Sequence, residues 1–212
     1  MYDAIIFDFD GVIADTMQDN FLAWKKTFNA YNIVLQEEDF FPLEGMSRFE
    51  IAKNITDKYK ISVSDLQDLV NQKDSYYLAD NHFKIYPAIF FIFDLLQQKN
   101  IKTAIVTGAS RDRISQFLPE KIKNQLTTIV TSDDVTQNKP HPEPYQKAIE
   151  KLNVSATKSL VIENAIFGIQ AAKTANCTCF ALTTTLPSER LLAADKIFAT
   201  HEDLFAFLQK NI

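Results

Sequence analysis

The chain opens with an apolar run that leads directly into two carboxylates and a glycine, Ile5-Ile6-Phe7-Asp8-Phe9-Asp10-Gly11-Val12. An apolar run bounded by turn-forming residues predicts a buried strand of a parallel sheet, and ligands bind open α/β sheets where such strands end. Residues two apart in an extended chain face the same side, so Asp8 and Asp10 are predicted to point into one site. Taken alone, the segment fits an acidic surface turn better, and the rest of the chain decides against that alternative.

The remainder of the chain is a helical stretch followed by alternating strands and helices. After Gly11, apolar residues at helical spacing predict helices over 19–31, 47–59 and 64–79, with no strand between them. Beyond them, strands are predicted over 103–107, 128–131, 159–162 and 177–182, and helices over 88–98, after Arg111, over 142–152 and 165–174, and from about Glu202. This alternation predicts the α/β class, with a Rossmann-like parallel sheet core covered on both faces.

The two patterns predict a core assembled from both ends of the chain and an inserted helical cap domain. Residues 1–15 and 83–212 are assigned to the α/β catalytic core, and residues 16–82 to a helical cap that follows the first strand. The connections near Thr16 and Ile85-Tyr86-Pro87 are predicted to be hinges.

Composition argues against several classes of partner. The 212 residues are 46% hydrophobic and carry a formal net charge of −5 without a sustained basic run, so we expect neither a nucleic acid nor a membrane as partner. Because no signal-peptide pattern and no membrane-spanning stretch are recognisable, we expect a cytoplasmic protein, either a monomer or a weak homo-oligomer. Cys177 and Cys179 are expected to be buried and reduced.

Three further segments of chemical interest follow predicted strands. Thr107 precedes Gly108-Ala109-Ser110, whose backbone amides suit a phosphate oxygen. Lys139 stands just before a proline-rich helix start, and Glu163-Asn164 can offer oxygen ligands to a hard cation. Each also has a structural alternative: strand packing for Thr107, a solvated charge for Lys139, and a helix N-cap for Asn164.

Four segments of this chain are Asp8-Phe9-Asp10-Gly11-Val12, Thr107, Lys139-Pro140 and Glu163-Asn164. In this order they resemble the motifs of the haloacid dehalogenase superfamily of phosphotransferases. The helical insertion resembles the small cap of that superfamily, so the resemblance covers the whole chain. Further residues resemble the subgroup that contains β-phosphoglucomutase and sugar-phosphate phosphatases: Trp24, Gly45-Met46-Ser47-Arg48, Lys73 and Tyr86-Pro87.

The resemblance implies a phosphoryl-transfer mechanism with a role for each motif. Asp8 is implied to be the nucleophile that forms an aspartyl-phosphate, and Asp10 to be the acid and base. Thr107 and the amides around Gly108 would bind phosphoryl oxygens, while Lys139 offsets negative charge. The implied cofactor is Mg²⁺, and its implied ligands are Asp8, the backbone carbonyl of Asp10, Glu163 and Asn164.

The implied substrate is a small phosphorylated metabolite held between the core and the cap. Residues from both sides of the cleft are predicted to contact it: Gly11, Gly45, Arg48, Lys73, Gly108, Ala109, Ser110 and Arg111. For the charged residues among them, a solvated surface position is the alternative. Closure of the cap would exclude water from the phosphoryl group.

Two departures from the family pattern affect the interpretation. The family usually has Asp where this chain has Asn164, so we predict weaker Mg²⁺ binding than the usual motif provides. Mutase-like members carry a histidine where this chain has Asn20, which weakens the case for a mutase.

Three hypotheses about function follow. The leading one is a Mg²⁺-dependent phosphomonoester hydrolase that uses an aspartyl-phosphate intermediate, acting on a small sugar-like phosphate. The first alternative is a β-phosphoglucomutase-like phosphosugar mutase. The second is a weakly active phosphate-binding regulator, which is disfavoured because receiver domains have no helical cap after their first strand.

Overall fold

The computed structural model describes residues 2–63 and 65–212. Its strands are β1 (Ala4–Phe7), β2 (Ala14–Asp15), β3 (Lys84–Ile85), β4 (Lys102–Val106), β5 (Thr128–Val130), β6 (Ser159–Glu163), β7 (Thr178–Leu182) and β8 (Lys196–Phe198). Six of them form one parallel sheet in the order β5-β4-β1-β6-β7-β8, while β2 and β3 form a separate antiparallel pair. The predicted parallel α/β sheet is confirmed.

Helices follow most of the strands. They are α1 (Met17–Asn29), α2 (Glu37–Phe40), α3 (Arg48–Tyr59), α4 (Leu66–Ala79), α5 (Pro87–Gln98), α6 (Arg111–Phe117), α7 (Glu120–Lys123), α8 (Glu143–Leu152), α9 (Ile166–Thr174) and α10 (His201–Asn211). The predicted start of the third helix at Ser64 lies outside the described residues.

Strand β1 is apolar throughout because helices cover both faces of the sheet. Ile5 and Phe7 pack into a buried cluster with residues of α5 and α10, including Phe93. Ala4 and Ile6 point to the opposite face, where they join residues of α8 and α9. Side chains alternate between the two faces of a strand, so two buried faces require an uninterrupted apolar run.

Helices α1, α3 and α4 pack around a third buried cluster, which includes Trp24, Phe28, Ile55 and Leu69. The two connections to the sheet lie side by side, because Ala14 of β2 pairs with Ile85 of β3. This arrangement supports our proposal that residues 16–82 form a cap that moves about these connections.

The sequence prediction missed β8, the sixth strand of the sheet. Strand β8 has three residues, of which Lys196 is exposed, so no apolar run marks it. The short helices α2 and α7, and the pair β2 and β3, were also not predicted, since elements of two to four residues carry too little periodicity.

The described part of the chain has two more features that bear on the sequence analysis. Cys177 and Cys179 are buried, and their thiols are free, as expected. In residues 2–63 and 65–212, no helix combines the length and the apolar composition needed to span a membrane.

Candidate active site

The carboxyl ends of β1, β4 and β6 meet helices α1, α3 and α4 at a cavity of about 60 Å³. Nine of the predicted site residues line it: Asp8, Asp10, Gly45, Arg48, Lys73, Gly108, Ala109, Ser110 and Asn164. The structure therefore brings both aspartates of the first motif to one cavity, together with residues from both sides of the cleft. A cavity of this size holds a few water molecules.

Asp8 follows β1 and is held from the sheet side by Lys139. Its backbone N–H donates to Ile162 O at 2.9 Å, which continues the ladder with β6. Its Oδ1 accepts from Lys139 Nζ at 2.7 Å, and that ammonium is itself buried and donates to Val106 O at 3.1 Å. Burial raises the pKa of Asp8 to about 7, although the Lys139 charge opposes this shift.

Glu163 lies beneath Asp8 in the same buried network. Its Oε1 accepts from Lys139 Nζ at 2.7 Å and from the Tyr145 hydroxyl at 2.6 Å, while its Oε2 accepts from the backbone amides of Asn164 and Ala165. The carboxylate occupies the space where Gly168 has no side chain, since a Cβ there would overlap it. Glu163 was predicted to be a metal ligand, whereas in the structure its carboxylate contacts Lys139 and does not line the cavity.

Asp10 also lines the cavity, but its partners differ from those of Asp8. Its carboxylate accepts from the Thr16 hydroxyl and from the Arg113 guanidinium, and Asn20 Nδ2 lies 3.4 Å from Oδ1. Although burial raises the pKa of Asp10, Arg113 and Thr16 outweigh burial and hold that pKa below its ordinary value. Asp10 is therefore a carboxylate in this arrangement.

The arginine of α6 that lines the cavity is Arg113, not the predicted Arg111. The Arg111 guanidinium pairs with Asp134 near the surface, and its backbone N–H donates to Asp133 at 2.8 Å. Positions two apart on a helix differ by about 200° in direction, so these two arginines cannot face the same cavity. The Arg113 guanidinium also lies over the Tyr77 ring, with its carbon 4.4 Å from the ring centroid.

Two other predicted site residues, Thr107 and Gly11, support the cavity without lining it. Thr107 Oγ1 accepts from Ala109 N at 3.0 Å and so fixes the turn that carries Gly108 and Ala109. The Gly11 carbonyl accepts from the Thr184 hydroxyl at 2.7 Å. Gly108 and Ala109 therefore line the cavity as predicted, but the Ala109 amide is already used by Thr107, which contributes by shaping their loop.

The cap side of the cavity is rich in charge. Arg48 pairs with Asp74, and the buried Lys73 donates to Asn20 Oδ1 at 2.8 Å. Burial, together with the nearby Arg113, lowers the pKa of Lys73 to about 8. Arg48 Nε and Arg113 Nε are buried donors for which the described residues provide no acceptor. These free donors are suited to an anion.

Two further residues of the cavity wall, Glu44 and Asn164, have buried acceptor oxygens rather than buried donors. Glu44, which the sequence analysis overlooked, is 2% exposed, and its Oε1 receives no hydrogen bond from the described residues. The same holds for Oδ1 of Asn164, which lines the cavity instead of capping α9, whose N-cap is Ala165. Burial raises the pKa of Glu44 well above its ordinary value; a hydrogen bond with Thr185 opposes this shift, and the charges of Asp10 and Asp8 add to it.

These oxygen atoms fit a hard divalent cation such as the implied Mg²⁺. Mg²⁺ prefers carboxylate, carbonyl and amide oxygens, and buried acceptors without donors are what such an ion would satisfy. Within the described part of the chain, no three His, Cys, Asp or Glu side chains form a metal-binding group on their own. The amide oxygen of Asn164 is an oxygen of this kind in the same cavity wall as Asp8.

Comparisons with known proteins agree with this arrangement. The sequence profile of haloacid dehalogenase-like hydrolases matches residues 5–182. Validoxylamine A 7'-phosphate phosphatase from Streptomyces hygroscopicus subsp. limoneus is 30% identical over 200 residues, which are 92% of each protein. A solved hydrolase from Pseudomonas syringae is 27% identical, with a TM-score of 0.88 and 99% of both chains covered. β-Phosphoglucomutase from Clostridium difficile is 26% identical, with a TM-score of 0.85, 99% of this chain and 96% of that one. The predicted resemblance is confirmed, and this chain belongs to the haloacid dehalogenase-like hydrolase family.

Proposed function

We propose that this protein is a Mg²⁺-dependent phosphomonoester hydrolase that acts through an aspartyl-phosphate on a small, sugar-like phosphate. The observation that carries the proposal is the composition of one cavity. It contains the lysine-held carboxylate of Asp8, a second aspartate at Asp10, and buried donors and acceptors that have no partner among the described residues. Such a cavity suits an anionic phosphoryl group and a cation together.

In the first step, a carboxylate oxygen of Asp8 attacks phosphorus. The bond from Asp8 to phosphorus forms as the bond from phosphorus to the ester oxygen breaks, and Asp10 supplies the proton that the departing alkoxide needs. Arg113 holds Asp10 as a carboxylate before substrate arrives. A substrate phosphate that attracts the Arg113 guanidinium would release Asp10 to take up a proton from solvent, which Asp10 then passes to the alkoxide.

In the second step, water attacks the phosphorus of the aspartyl-phosphate. Asp10, now a carboxylate, accepts the proton of that water, the bond between Asp8 and phosphorus breaks, and inorganic phosphate leaves. Lys139 keeps the Asp8 carboxylate oriented in both steps, because its ammonium is fixed by Glu163 and Val106. The amide of Gly108 would bind a phosphoryl oxygen, whereas the amide of Ala109 donates to Thr107 Oγ1.

Asp8 and Asn164 would hold Mg²⁺, together with the backbone carbonyl of Asp10 that the family resemblance implies. When bound, this ion neutralises charge on the phosphoryl oxygens. The remaining contribution comes from positioning by the protein, which phosphoryl transfer requires more than covalent assistance.

The walls of the cavity support a small polar substrate. Trp24 and Ile51 contribute apolar surface, whereas Asn20, Lys73 and Asp74 contribute groups that can hydrogen-bond hydroxyls. An apolar wall with a few convergent polar groups is typical of small-molecule sites. The Streptomyces relative is named as a phosphatase of validoxylamine A 7'-phosphate, which is also a phosphate ester.

A mutase remains the second candidate, because the similar Clostridium difficile protein is named a β-phosphoglucomutase. Asn20 argues against it. This residue lies beside Asp10 and Lys73, at the position where mutase-like members carry a histidine. Unlike an imidazole, an amide side chain cannot act as a general acid or base near neutral pH.

The test is a screen of phosphorylated metabolites with and without Mg²⁺, with Asp8→Asn as the blank. We expect Mg²⁺-dependent release of inorganic phosphate by the wild type alone, and a hydroxylamine-sensitive phosphoenzyme after rapid quenching. Isomerisation primed by a sugar bisphosphate, with slow phosphate release, would indicate the mutase. Phosphate binding without turnover would indicate the regulator, and activity retained in Asp8→Asn would exclude the proposed nucleophile.

A further inference from the structure

Glu44 is a cap-side residue whose carboxylate is buried against the core. It precedes Gly45 in the loop before α3, and it is 2% exposed. Gly45 has a φ of +85°, and a Cβ on it would lie 3.1 Å from the backbone nitrogen of Gly168 in α9. The loop therefore sits directly on the start of α9 and carries Glu44 to the cavity edge formed by Asn164.

No described lysine, arginine or histidine forms an ion pair with Glu44. Its Oε2 lies 3.5 Å from Asn164 Nδ2, and its Oε1 receives no hydrogen bond from the described residues. A buried carboxylate is strongly unfavourable unless it is paired or binds a metal ion. The described part of the protein therefore supplies no positively charged partner for this carboxylate.

Asn164 presents the same need from the core side. Its Nδ2 is engaged by Thr185 Oγ1 at 3.1 Å and by Glu44, while its Oδ1 is buried without a donor. Two neighbouring residues of the cavity wall thus each have one buried acceptor oxygen with no donor among the described residues. Oxygen ligands of this kind are what a hard divalent cation requires.

The charge balance of the core explains why a cap residue is needed. Asp8 and Glu163 share the single positive charge of Lys139, and Asp10 is neutralised by Arg113. The core therefore offers a cation only one net negative charge, because Asn164 is neutral. Glu44 is the further carboxylate on the cavity wall that has no cationic partner among the described residues.

We propose that Glu44 is a ligand of the divalent cation, directly or through one water molecule, and that it supplies from the cap the negative charge that Asn164 lacks. The cation then joins the cap to the core, so that cation binding and cap closure favour one another. This inference rests on the proposed function, since it places the cation in the phosphoryl-transfer site.

The experiment measures Mg²⁺ binding to the full chain by calorimetry, without substrate. Glu44→Gln keeps the shape of the side chain and removes its charge, so we expect the dissociation constant for Mg²⁺ to rise at least about tenfold. Glu38→Gln is the matched control, because Glu38 is an exposed cap glutamate, and it should leave the affinity unchanged. The increase in melting temperature caused by Mg²⁺ should shrink in Glu44→Gln in parallel.

A double variant separates charge from local damage. Glu44→Gln combined with Asn164→Asp moves the carboxylate from the cap to the core, and we expect it to restore much of the lost affinity. Equal or tighter Mg²⁺ binding by Glu44→Gln would overturn the inference while leaving the proposed function intact. Absence of Mg²⁺ binding by the wild type would instead overturn the Mg²⁺ dependence of the proposed function.

A crystal structure of the wild type with Mn²⁺ provides a test that needs no variant. We expect the ion between Asp8, Asn164 and Glu44, with the Glu44 carboxylate bound to it or to one of its water molecules. A bound ion with Glu44 turned away from its coordination sphere would overturn the inference even if Glu44→Gln failed to fold.

Discussion

Two regions of the cavity wall differ in how completely their polar groups are satisfied. On the core side, Asp8, Lys139, Glu163 and Tyr145 form a buried network whose ion pairs and hydrogen bonds are between 2.6 and 2.7 Å. Around the rest of the cavity, Glu44 and Arg48 from the cap side and Arg113 and Asn164 from the core side each keep one buried polar atom with no partner among the described residues. A satisfied network is already organised for chemistry, whereas unpartnered buried groups require a ligand. The network around Asp8 thus holds the nucleophile in place before a ligand arrives, whereas the other buried groups gain partners only when a ligand binds.

The largest effect should come from the core network itself. Asp8→Asn removes the nucleophile while keeping the side-chain shape, so we expect phosphatase activity to fall by more than about 10⁴-fold. Steady-state assays on the best substrate of the screen provide the measurement, and circular dichroism checks that the fold is retained. Activity within about tenfold of the wild type would contradict the assignment of Asp8.

Lys139→Met tests whether the core network is stabilising as a unit. It leaves the carboxylates of Asp8 and Glu163 buried without their cation, so we expect the free energy of unfolding to fall by about 3–5 kcal/mol. Lys173→Met is the control, because Lys173 pairs with Asp195 where both side chains are 39% exposed. That control should lose about 1 kcal/mol or less in urea denaturation. Equal losses would show that the buried network adds nothing.

Arg113→Ala addresses the side of the cavity that awaits a ligand. Because Arg113 offers a free donor and also holds down the pKa of Asp10, we expect kcat/KM for an alkyl phosphate to fall about 10–100-fold. The basic limb of the pH profile should move to higher pH, since protonated Asp10 persists further. Arg111→Ala, on the same helix, should change neither quantity. Equal effects of the two variants would contradict the assignment of Arg113.

Asn164→Asp adds a negative charge to the core side of the cavity and tests whether residue 164 faces the cation. The new carboxylate gives the cation a second negative ligand from the sheet side, so we expect Mg²⁺ affinity to rise about tenfold. Calorimetric titration at constant pH provides the measurement. Unchanged affinity would show that the amide oxygen of Asn164 does not face the ion.

The pH dependence of Mg²⁺ binding should give the smallest effect. Burial raises the pKa of Asp8 to about 7, and its proton must leave before a cation binds, so affinity should rise by up to about tenfold from about pH 6 to about pH 8. In Mg²⁺-free protein the consequence for stability has the opposite sign. The folded state binds this proton more tightly than the unfolded chain does, so the free energy of unfolding falls as pH rises from about 4 to about 7. Asp8→Asn should abolish both trends.

The sequence alone was sufficient for five of the six strands of the sheet and for the residues at the carboxyl ends of the first strands. The apolar run before Asp8 predicted a strand buried on both faces, and Ile5 and Ile6 do contact opposite helical layers. Local patterns suffice in such cases because strand burial and strand order along the chain appear directly as hydrophobic periodicity. The three-residue strand β8 escaped because it carries no such pattern.

Tertiary structure alone decided which side chains face the cavity. Arg111 and Arg113 differ only in helical phase, and the sequence does not say which one turns toward Asp10. Glu163 was recognisable as an acidic strand end, but its direction toward Lys139 depends on the space above Gly168. Glu44 meets Asn164 across 120 positions of chain. Contacts of this kind are set by packing between distant segments, which no local pattern of residues records.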